Sequence, residues 1–129
     1  MQICRLTLLV RDYDEAIEFY TQRLGFVKQT DDNWGEGFRF VVLSAAQQPD
    51  FQLIITRATD DDLLGLVGRQ AGYHQFFALR VSDCAASYAQ LKANGIDFIS
   101  EPREMMYGTE ASFRDLYGNI IGLISPVVL

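Results

Sequence analysis

The stretch LLVRDYDEAIEFYTQ, which begins at Leu8, recurs in altered form as LRVSDCAASYAQLKA, which begins at Leu79. In both stretches an alternating apolar run reaches Val-x-Asp and continues with apolar residues at helical spacing. A spacing of 71 residues aligns the two copies, so that Val10 matches Val81. Repeated patterns mark repeated structural units, and this one predicts a strand followed by a helix, used twice.

Aspartate and glycine mark the ends of both predicted helices. Asp12 and Asp83 are placed to accept hydrogen bonds from the first free backbone N–H groups of each helix. Gly25 and Gly95 suit the left-handed residue that follows a helix. The two helices are therefore predicted to run between these residues.

Strand-like runs follow each helix and are separated by turn-forming residues. Because each copy reads strand, helix and three strands, we predict an α+β fold built from two βαβββ modules. Module one is predicted at about 1–59, a linker at about 60–72 and module two at about 73–129, within a single domain of residues 1–129. The later strands are predicted at 26–29, 38–44, 51–57, 97–100, 110–114 and 119–125, with turns at 31–33, 48–50 and 117–119.

Composition limits the classes of partner. The chain of 129 residues is 49% hydrophobic and 22% charged, which predicts a folded, soluble domain. A net charge of −6 argues against nucleic acid. No long apolar run or signal peptide is evident, so we expect a cytoplasmic protein without a membrane partner. Cys4 and Cys84 lack metal-binding spacing, and we expect reduced thiols.

Further motifs resemble one known family. The run FYTQRLGF begins at Phe19, and the run FRDLYGN begins at Phe113. The second is similar to a family turn, Asp-Pro-Asp-Gly-Asn, with Leu116 and Tyr117 replacing Pro and Asp. On these residues the chain resembles the vicinal oxygen chelate superfamily, which includes glyoxalase I, extradiol dioxygenases, and fosfomycin and bleomycin resistance proteins. The resemblance implies that the modules form a curved eight-stranded mixed sheet with a concave ligand cleft.

The resemblance also locates the four metal-ligand positions of metal-dependent members. In this sequence they hold Arg5, Phe76, Ile54 and Gly122, with Gln52 as a less favoured choice for the third. A guanidinium offers no lone pair to a dication, and the apolar residues offer no ligand atom. We therefore expect no metal and no cofactor, which weakens the metal-dependent enzyme functions.

Alternation in the first strand supports this alignment independently. Leu6, Leu8 and Val10 form a face suited to packing beneath a helix. Arg5 and Thr7 point to the opposite face, where a ligand would bind. An arginine there would bind an anionic ligand group or form an ion pair with a protein carboxylate.

Aromatic residues complete the predicted cleft. Trp34, Phe38 and Phe40 and the later rings Phe76, Tyr107 and Phe113 are expected in loops or on the inner face, although each could instead fill the core. His74, the only histidine, could be a polar pocket group or an exposed residue at a strand entrance. The predicted ligand-binding set is Arg5, Thr7, Trp34, Phe40, Gln52, Ile54, His74, Phe76, Tyr107 and Phe113.

Three functions follow from these residues and the resemblance. The first is a bleomycin-resistance-like binding protein, a homodimer that takes a small aromatic or cationic molecule without a metal. The second is a glyoxalase-like lyase or isomerase that works through Arg5, His74 and a carboxylate. The third is a small structural or regulatory dimer without a ligand.

Overall fold

A computed structural model describes residues 1–127. Its backbone divides into two compact units between Val67 and Gly68, inside the predicted linker. Each unit contains the order strand, helix and three strands, which confirms the α+β class and the two βαβββ modules. The single cleft expected from the resemblance stays a prediction.

The first unit contains one four-stranded mixed sheet. Its elements are β1 (Arg5–Val10), α1 (Tyr13–Glu18), a π-helical segment (Phe19–Arg23), β2 (Val27–Gly35), β3 (Phe38–Ser44), β4 (Gln52–Arg57) and the short α2 (Asp61–Leu64). The strand order is β1-β4-β3-β2, in which β1 and β4 are parallel and the other neighbours are antiparallel.

The second unit repeats this arrangement in its described residues. Its elements are β5 (Gln75–Arg80), α3 (Cys84–Ala93), β6 (Asp97–Met105), β7 (Gly108–Arg114) and β8 (Ile120–Pro126). The strand order is β5-β8-β7-β6, with β5 and β8 parallel. Among the described residues, no helix is both long enough and apolar enough to cross a bilayer.

The predicted helix ends are confirmed. A carboxylate oxygen of Asp12 accepts a hydrogen bond from the Glu15 amide at 2.9 Å, and Asp83 accepts one from the Ala86 amide at 3.1 Å. Gly25 has a φ of +85°, in the left-handed region that ends the first helical segment. The Val-x-Asp motif therefore fixes where each strand gives way to a helix.

The core of the first unit lies between α1 and one face of its sheet. Leu8 and Val10 of β1 are fully buried, as are Val41 of β3 and Tyr20 of the π-helical segment. Ile55 of β4 is 2% exposed. Side chains at every second position along the strands supply this face, so the intervening positions form the opposite one.

The first helix is not α-helical to its end, in contrast to the sequence prediction. The Leu24 amide bonds to the Phe19 carbonyl, five residues back, within the wider turn of the π-helical segment. The Thr21 hydroxyl donates to the Ile17 carbonyl at 2.7 Å. Because that carbonyl is the usual acceptor for the Thr21 amide in an α-helix, the hydroxyl competes with regular helical bonding.

The turn predicted at 31–33 is wrong, because β2 continues through these residues to Gly35. Asp31 lies on β2, where its two carboxylate oxygens accept hydrogen bonds from the Arg39 guanidinium of β3 at 3.1 and 2.7 Å. These bonds hold the pKa of Asp31 below its ordinary value. The actual turn follows at Glu36 and Gly37, both with positive φ.

A buried carboxylate builds the turn between β7 and β8. One oxygen of Asp115 accepts hydrogen bonds from the amides of Tyr117, Gly118 and Asn119 at 2.9 to 3.0 Å. The other accepts one from the Asn119 side chain at 2.9 Å. Asp115 is only 5% exposed, so these donors replace the water that the charge loses on folding.

We expect Asp115→Ala to lower the free energy of unfolding by about 3 kcal/mol, because it leaves several turn donors without their charged acceptor. Asp50→Ala, in the exposed turn between β3 and β4, is the matched control and should change it by less than about 0.5 kcal/mol. Urea unfolding followed by circular dichroism measures both. Equal effects of the two variants would contradict the role given to Asp115.

Candidate functional site

Four of the predicted ligand-binding residues lie side by side in the first unit. Arg5 pairs with Gln52, and Thr7 pairs with Ile54, across the parallel strands β1 and β4. Parallel partners project to the same side of a sheet, and this side is opposite the buried face that contains Leu8. Arg5 and Thr7 are exposed, whereas Gln52 and Ile54 are half-buried. We call this surface the open face of the first sheet.

Three aromatic rings extend the open face along β2 and β3. Val42 pairs with Ile54, so Phe40, two residues before Val42, projects to the same side. Trp34 stacks on Phe40 with ring centroids 5.6 Å apart at 27°, and it contacts Phe38 at 5.5 Å. The side chains of Trp34, Phe38 and Phe40 are called the aromatic cluster below.

The aromatic cluster is largely uncovered. Trp34 is 65% exposed and Phe38 is 48% exposed. Neighbouring large rings that stay in contact with water are unusual on a protein surface, and they mark binding surfaces more often than isolated apolar residues do. The predicted partners Trp34 and Phe40 are therefore brought together on the same face as Ile54.

Arg5 is available for an external anion or hydrogen-bond acceptor. Within residues 1–127, its guanidinium has no ion pair and no hydrogen bond to a protein group. The internal ion pair considered for this residue is thus not formed within the described chain. The cross-strand neighbour Gln52 adds a neutral amide beside this charge.

The second sheet has its own open face, and a glutamine covers part of it. The Gln75 side-chain amide lies over Gly122, where a Cβ atom would come within 2.7 Å of the amide oxygen and nitrogen. The ladder between β5 and β8 shifts its register between Gln75 and Phe77. This β-bulge at Phe76 changes the alternation that a regular strand would have.

Tyr107, a member of the predicted set, belongs to a hydrogen-bonded group with Gln75, Glu110 and Ser112, which that set did not include. The Gln75 side-chain nitrogen donates to Glu110 at 2.7 Å and contacts the Ser112 hydroxyl at 3.3 Å. The Tyr107 hydroxyl donates to the other carboxylate oxygen of Glu110. We call Gln75, Tyr107, Glu110 and Ser112 the polar cluster. The sequence carries no signal that groups Gln75, Glu110 and Ser112, because their contact depends on how β5, β7 and β8 pair.

The remaining predicted site residues occupy different environments. The expected placement of Phe113 on the inner face is wrong, because it is fully buried and packs edge-on against Phe98 in the core beneath α3. Phe113 pairs with Ile121, a core position, which fixes this orientation. Phe76 is half-buried beside Phe77, and His74 is exposed in the turn before β5.

The donor atoms on these faces do not suit a divalent cation. Within the described residues, no group of three or more histidine, cysteine, aspartate or glutamate side chains lies close enough to hold a metal ion. Arg5 and Ile54 lack a usable lone pair, and Gly122 lacks a side chain. The neutral Gln75 amide is a weak substitute for the carboxylate, imidazole or thiolate ligands that bind dications tightly.

Comparison with known proteins gives a consistent family match. Residues 2–123 match the sequence profile described as the Glyoxalase/Bleomycin resistance protein/Dioxygenase superfamily. An uncharacterized protein of Shewanella frigidimarina (strain NCIMB 400) is 37% identical over 123 residues, covering 95% of this chain and 91% of its own length. The uncharacterized protein YurT of Bacillus subtilis (strain 168) is 30% identical, covering 96% and 98%.

Solved structures share the fold over nearly the whole chain. UcmS2 has a TM-score of 0.85 and 28% identity, covering 96% of this chain and 97% of that one. TnmS3, described as an antibiotic binding protein from Streptomyces sp. CB03234, has a TM-score of 0.79 and 25% identity, covering 98% and 97%. These matches extend across both units.

The polar cluster predicts an alkaline titration. The hydrogen bond to Glu110 raises the pKa of Tyr107 above its ordinary value of 10.0. The bond is intact below that ordinary pKa and is lost as the pH rises through the raised pKa, because phenolate cannot donate to a carboxylate. We therefore expect Glu110→Gln to lower the pKa of Tyr107, measured by NMR with tyrosine labelled at Cζ. The control Glu104→Gln should leave it unchanged, and an unaltered titration in Glu110→Gln would contradict the assignment.

Proposed function

This chain belongs to the glyoxalase/bleomycin resistance protein/dioxygenase superfamily, and we propose that it binds a small aromatic or cationic molecule without the help of a metal ion. The observation that carries the proposal is the exposed aromatic cluster on the open face of the first sheet. Trp34 and Phe40 offer a stacked surface beside the half-buried Ile54. Small-molecule sites are usually lined by apolar and aromatic side chains together with a few placed polar groups.

Ring stacking supports an aromatic ligand in particular. A flat molecule that covers Trp34 removes apolar surface from water and adds stacking contacts, together worth on the order of 1–3 kcal/mol. A positive charge on that molecule would add a cation–π interaction with the indole ring. Arg5 and Gln52, on the same face, would bind acceptor groups at the edge of the ligand.

The similarity to an antibiotic binding protein supports the same class of function. TnmS3 carries that description and aligns with 98% of this chain at 25% identity. Proteins that share a fold can differ in ligand, so the similarity supports binding of a small organic molecule and leaves its identity to experiment.

The side-chain chemistry at the expected metal-ligand positions supports a function that does not use a metal ion. The four positions that would hold metal ligands contain Arg5, Ile54, Phe76 and Gly122, and none of these residues offers a side-chain lone pair that binds a dication. A Lewis-acid mechanism needs an ion held by oxygen, nitrogen or sulfur atoms. Stacking, hydrogen bonding and charge are the interactions that remain for a ligand.

The proposal predicts that cationic 9-aminoacridine binds and quenches the fluorescence of Trp34, the only tryptophan. We expect Trp34→Ala to weaken binding about tenfold, because the stacking surface is lost. Trp34→Phe is the matched control, since it keeps a ring, and should weaken binding less than threefold. Isothermal titration calorimetry measures the affinity of the unaltered protein and of both variants for 9-aminoacridine.

The neutral parent compound acridine, titrated in the same way, separates stacking from charge. Binding of either compound with the expected order of variants supports the proposal. Absence of binding by both compounds, or equal affinity of Trp34→Ala and the unaltered protein, would overturn the use of the aromatic cluster.

The variant Arg5→His tests the proposal that ligand binding does not need a metal ion. One imidazole on this face would have the neighbours Thr7, Gln52 and Ile54, which are weak ligands or none. We expect the variant to bind zinc no more tightly than millimolar, as measured by calorimetry. Micromolar or tighter binding, absent from the unaltered protein, would show that other metal ligands lie close to position 5.

A further inference from the structure

The second unit contains a pocket that the proposed ligand site does not use. Its volume is about 570 Å³, and it lies at the end of β7 and β8 beside the start of α3. Two carboxylate residues, Asp83 and Glu104, and three hydroxyl residues, Ser82, Thr109 and Ser125, contribute to its lining. Among residues 1–127, the lining contains no lysine, arginine or histidine, so the charged lining residues are all acidic.

The internal repeat identifies the matching place in the first unit. In the first sheet Val41 pairs with Ile55, and in the second Ala111 pairs with Leu123. These four residues are core positions of the same two strands in each copy. Arg57 lies two residues after Ile55 on β4, and Ser125 lies two residues after Leu123 on β8, each on the same face as the core residue. The arginine of the first copy is therefore matched by a serine in the second.

The same comparison gives two further substitutions of large side chains by small ones. Two residues before Val41 and Ala111 lie Arg39 and Thr109. At the first helical position, the spacing of 71 residues matches Tyr13 with Cys84. The first copy therefore places a tyrosine and two arginines where the second places cysteine, threonine and serine.

In the first unit, guanidinium groups fill this place. The carbon atoms of the Arg39 and Arg57 guanidinium groups lie 5.2 and 5.9 Å from the centre of the Tyr13 ring. Arg39 also forms ion pairs with Asp14 at 2.9 Å and Asp31 at 2.7 Å. Arg39 is thus paired with carboxylates, whereas Arg57 packs against the Tyr13 ring and its buried Nε has no hydrogen-bond partner among the described residues.

In the second unit, the small side chains leave the pocket open, and the Ser125 hydroxyl lies at its wall. Ser125 is 7% exposed, and its side chain lies on the same face of β8 as Leu123. Among the described residues, its hydroxyl has no hydrogen-bond partner. The Ser125 hydroxyl belongs to a residue that lines the pocket, where it can accept a hydrogen bond from a bound polar group.

We propose that this pocket binds a small molecule that carries a guanidinium group. The Ser125 hydroxyl accepts a hydrogen bond from that group, and Glu104 and Asp83 supply the opposite charge. One oxygen of Asp83 caps α3 by accepting from the Ala86 amide at 3.1 Å, and the other remains for the ligand. The ligand thereby takes the place that arginine side chains occupy in the first copy.

The test titrates ethylguanidinium into the full-length, ¹⁵N-labelled protein, with neutral ethylurea as the matched ligand. We expect saturable shifts of the Asp83, Thr109 and Ser125 amides with ethylguanidinium, at a dissociation constant on the order of 1 mM for so small a ligand. Ethylurea should cause no saturable shift, because it lacks the charge. Linear, unsaturated shifts with ethylguanidinium, or equal binding of both compounds, would overturn the proposal.

Two variants locate the binding. Glu104→Gln should weaken the binding of ethylguanidinium about fivefold. Glu101→Gln, on the same strand and outside the pocket, should leave the affinity unchanged. Ser125→Arg should abolish binding, because it supplies the guanidinium within the chain, as Arg57 does in the first copy. Thermal unfolding followed by circular dichroism establishes that each variant is folded. If Ser125→Arg does not fold, the comparison of Glu104→Gln with Glu101→Gln tests the proposal. Equal affinities of these two variants for ethylguanidinium would overturn it.

Discussion

Burial of one face of each sheet beneath a helix is the constraint on which the rest of the structure depends. Leu8 and Val10 are fully buried in the first copy, and strand geometry then obliges Arg5 and Thr7 to project to the other side. A slip of one residue would exchange the two faces, and it would place the Arg5 charge in the core at a cost of several kcal/mol. The location of the candidate site therefore follows from the same hydrophobic effect that stabilises the fold.

The two copies use equivalent positions for different chemistry. In the first copy the open face presents rings, led by Trp34, together with the cation Arg5. In the second copy it presents a hydrogen-bonded amide and carboxylate, Gln75 and Glu110, above a glycine. The opposite faces also differ, because large side chains fill the place in the first copy where small side chains leave a pocket in the second.

The sequence predicts those parts of the structure that depend on local rules. Asp12 and Asp83 mark helix starts because capping involves residues only three positions apart. The grouping of Arg5 with Gln52 and Ile54 is also recoverable, because both strands alternate regularly. By contrast, Gln75 reaches Gly122 only through a β-bulge, and the orientation of Phe113 depends on its pairing with Ile121. Bulges and strand register arise from long-range contacts, which one sequence does not specify.

The duplicated architecture has a consequence for how such a protein can change over generations. Each copy has its own sheet, and each sheet is covered by its own helix. Mutations that retune the solvent-facing side of one copy therefore leave the hydrophobic interior of the other untouched. The open face of one copy can therefore change its ligand preference while the core of the other copy stays the same, so the repeat lets the two halves of the chain diverge in chemistry.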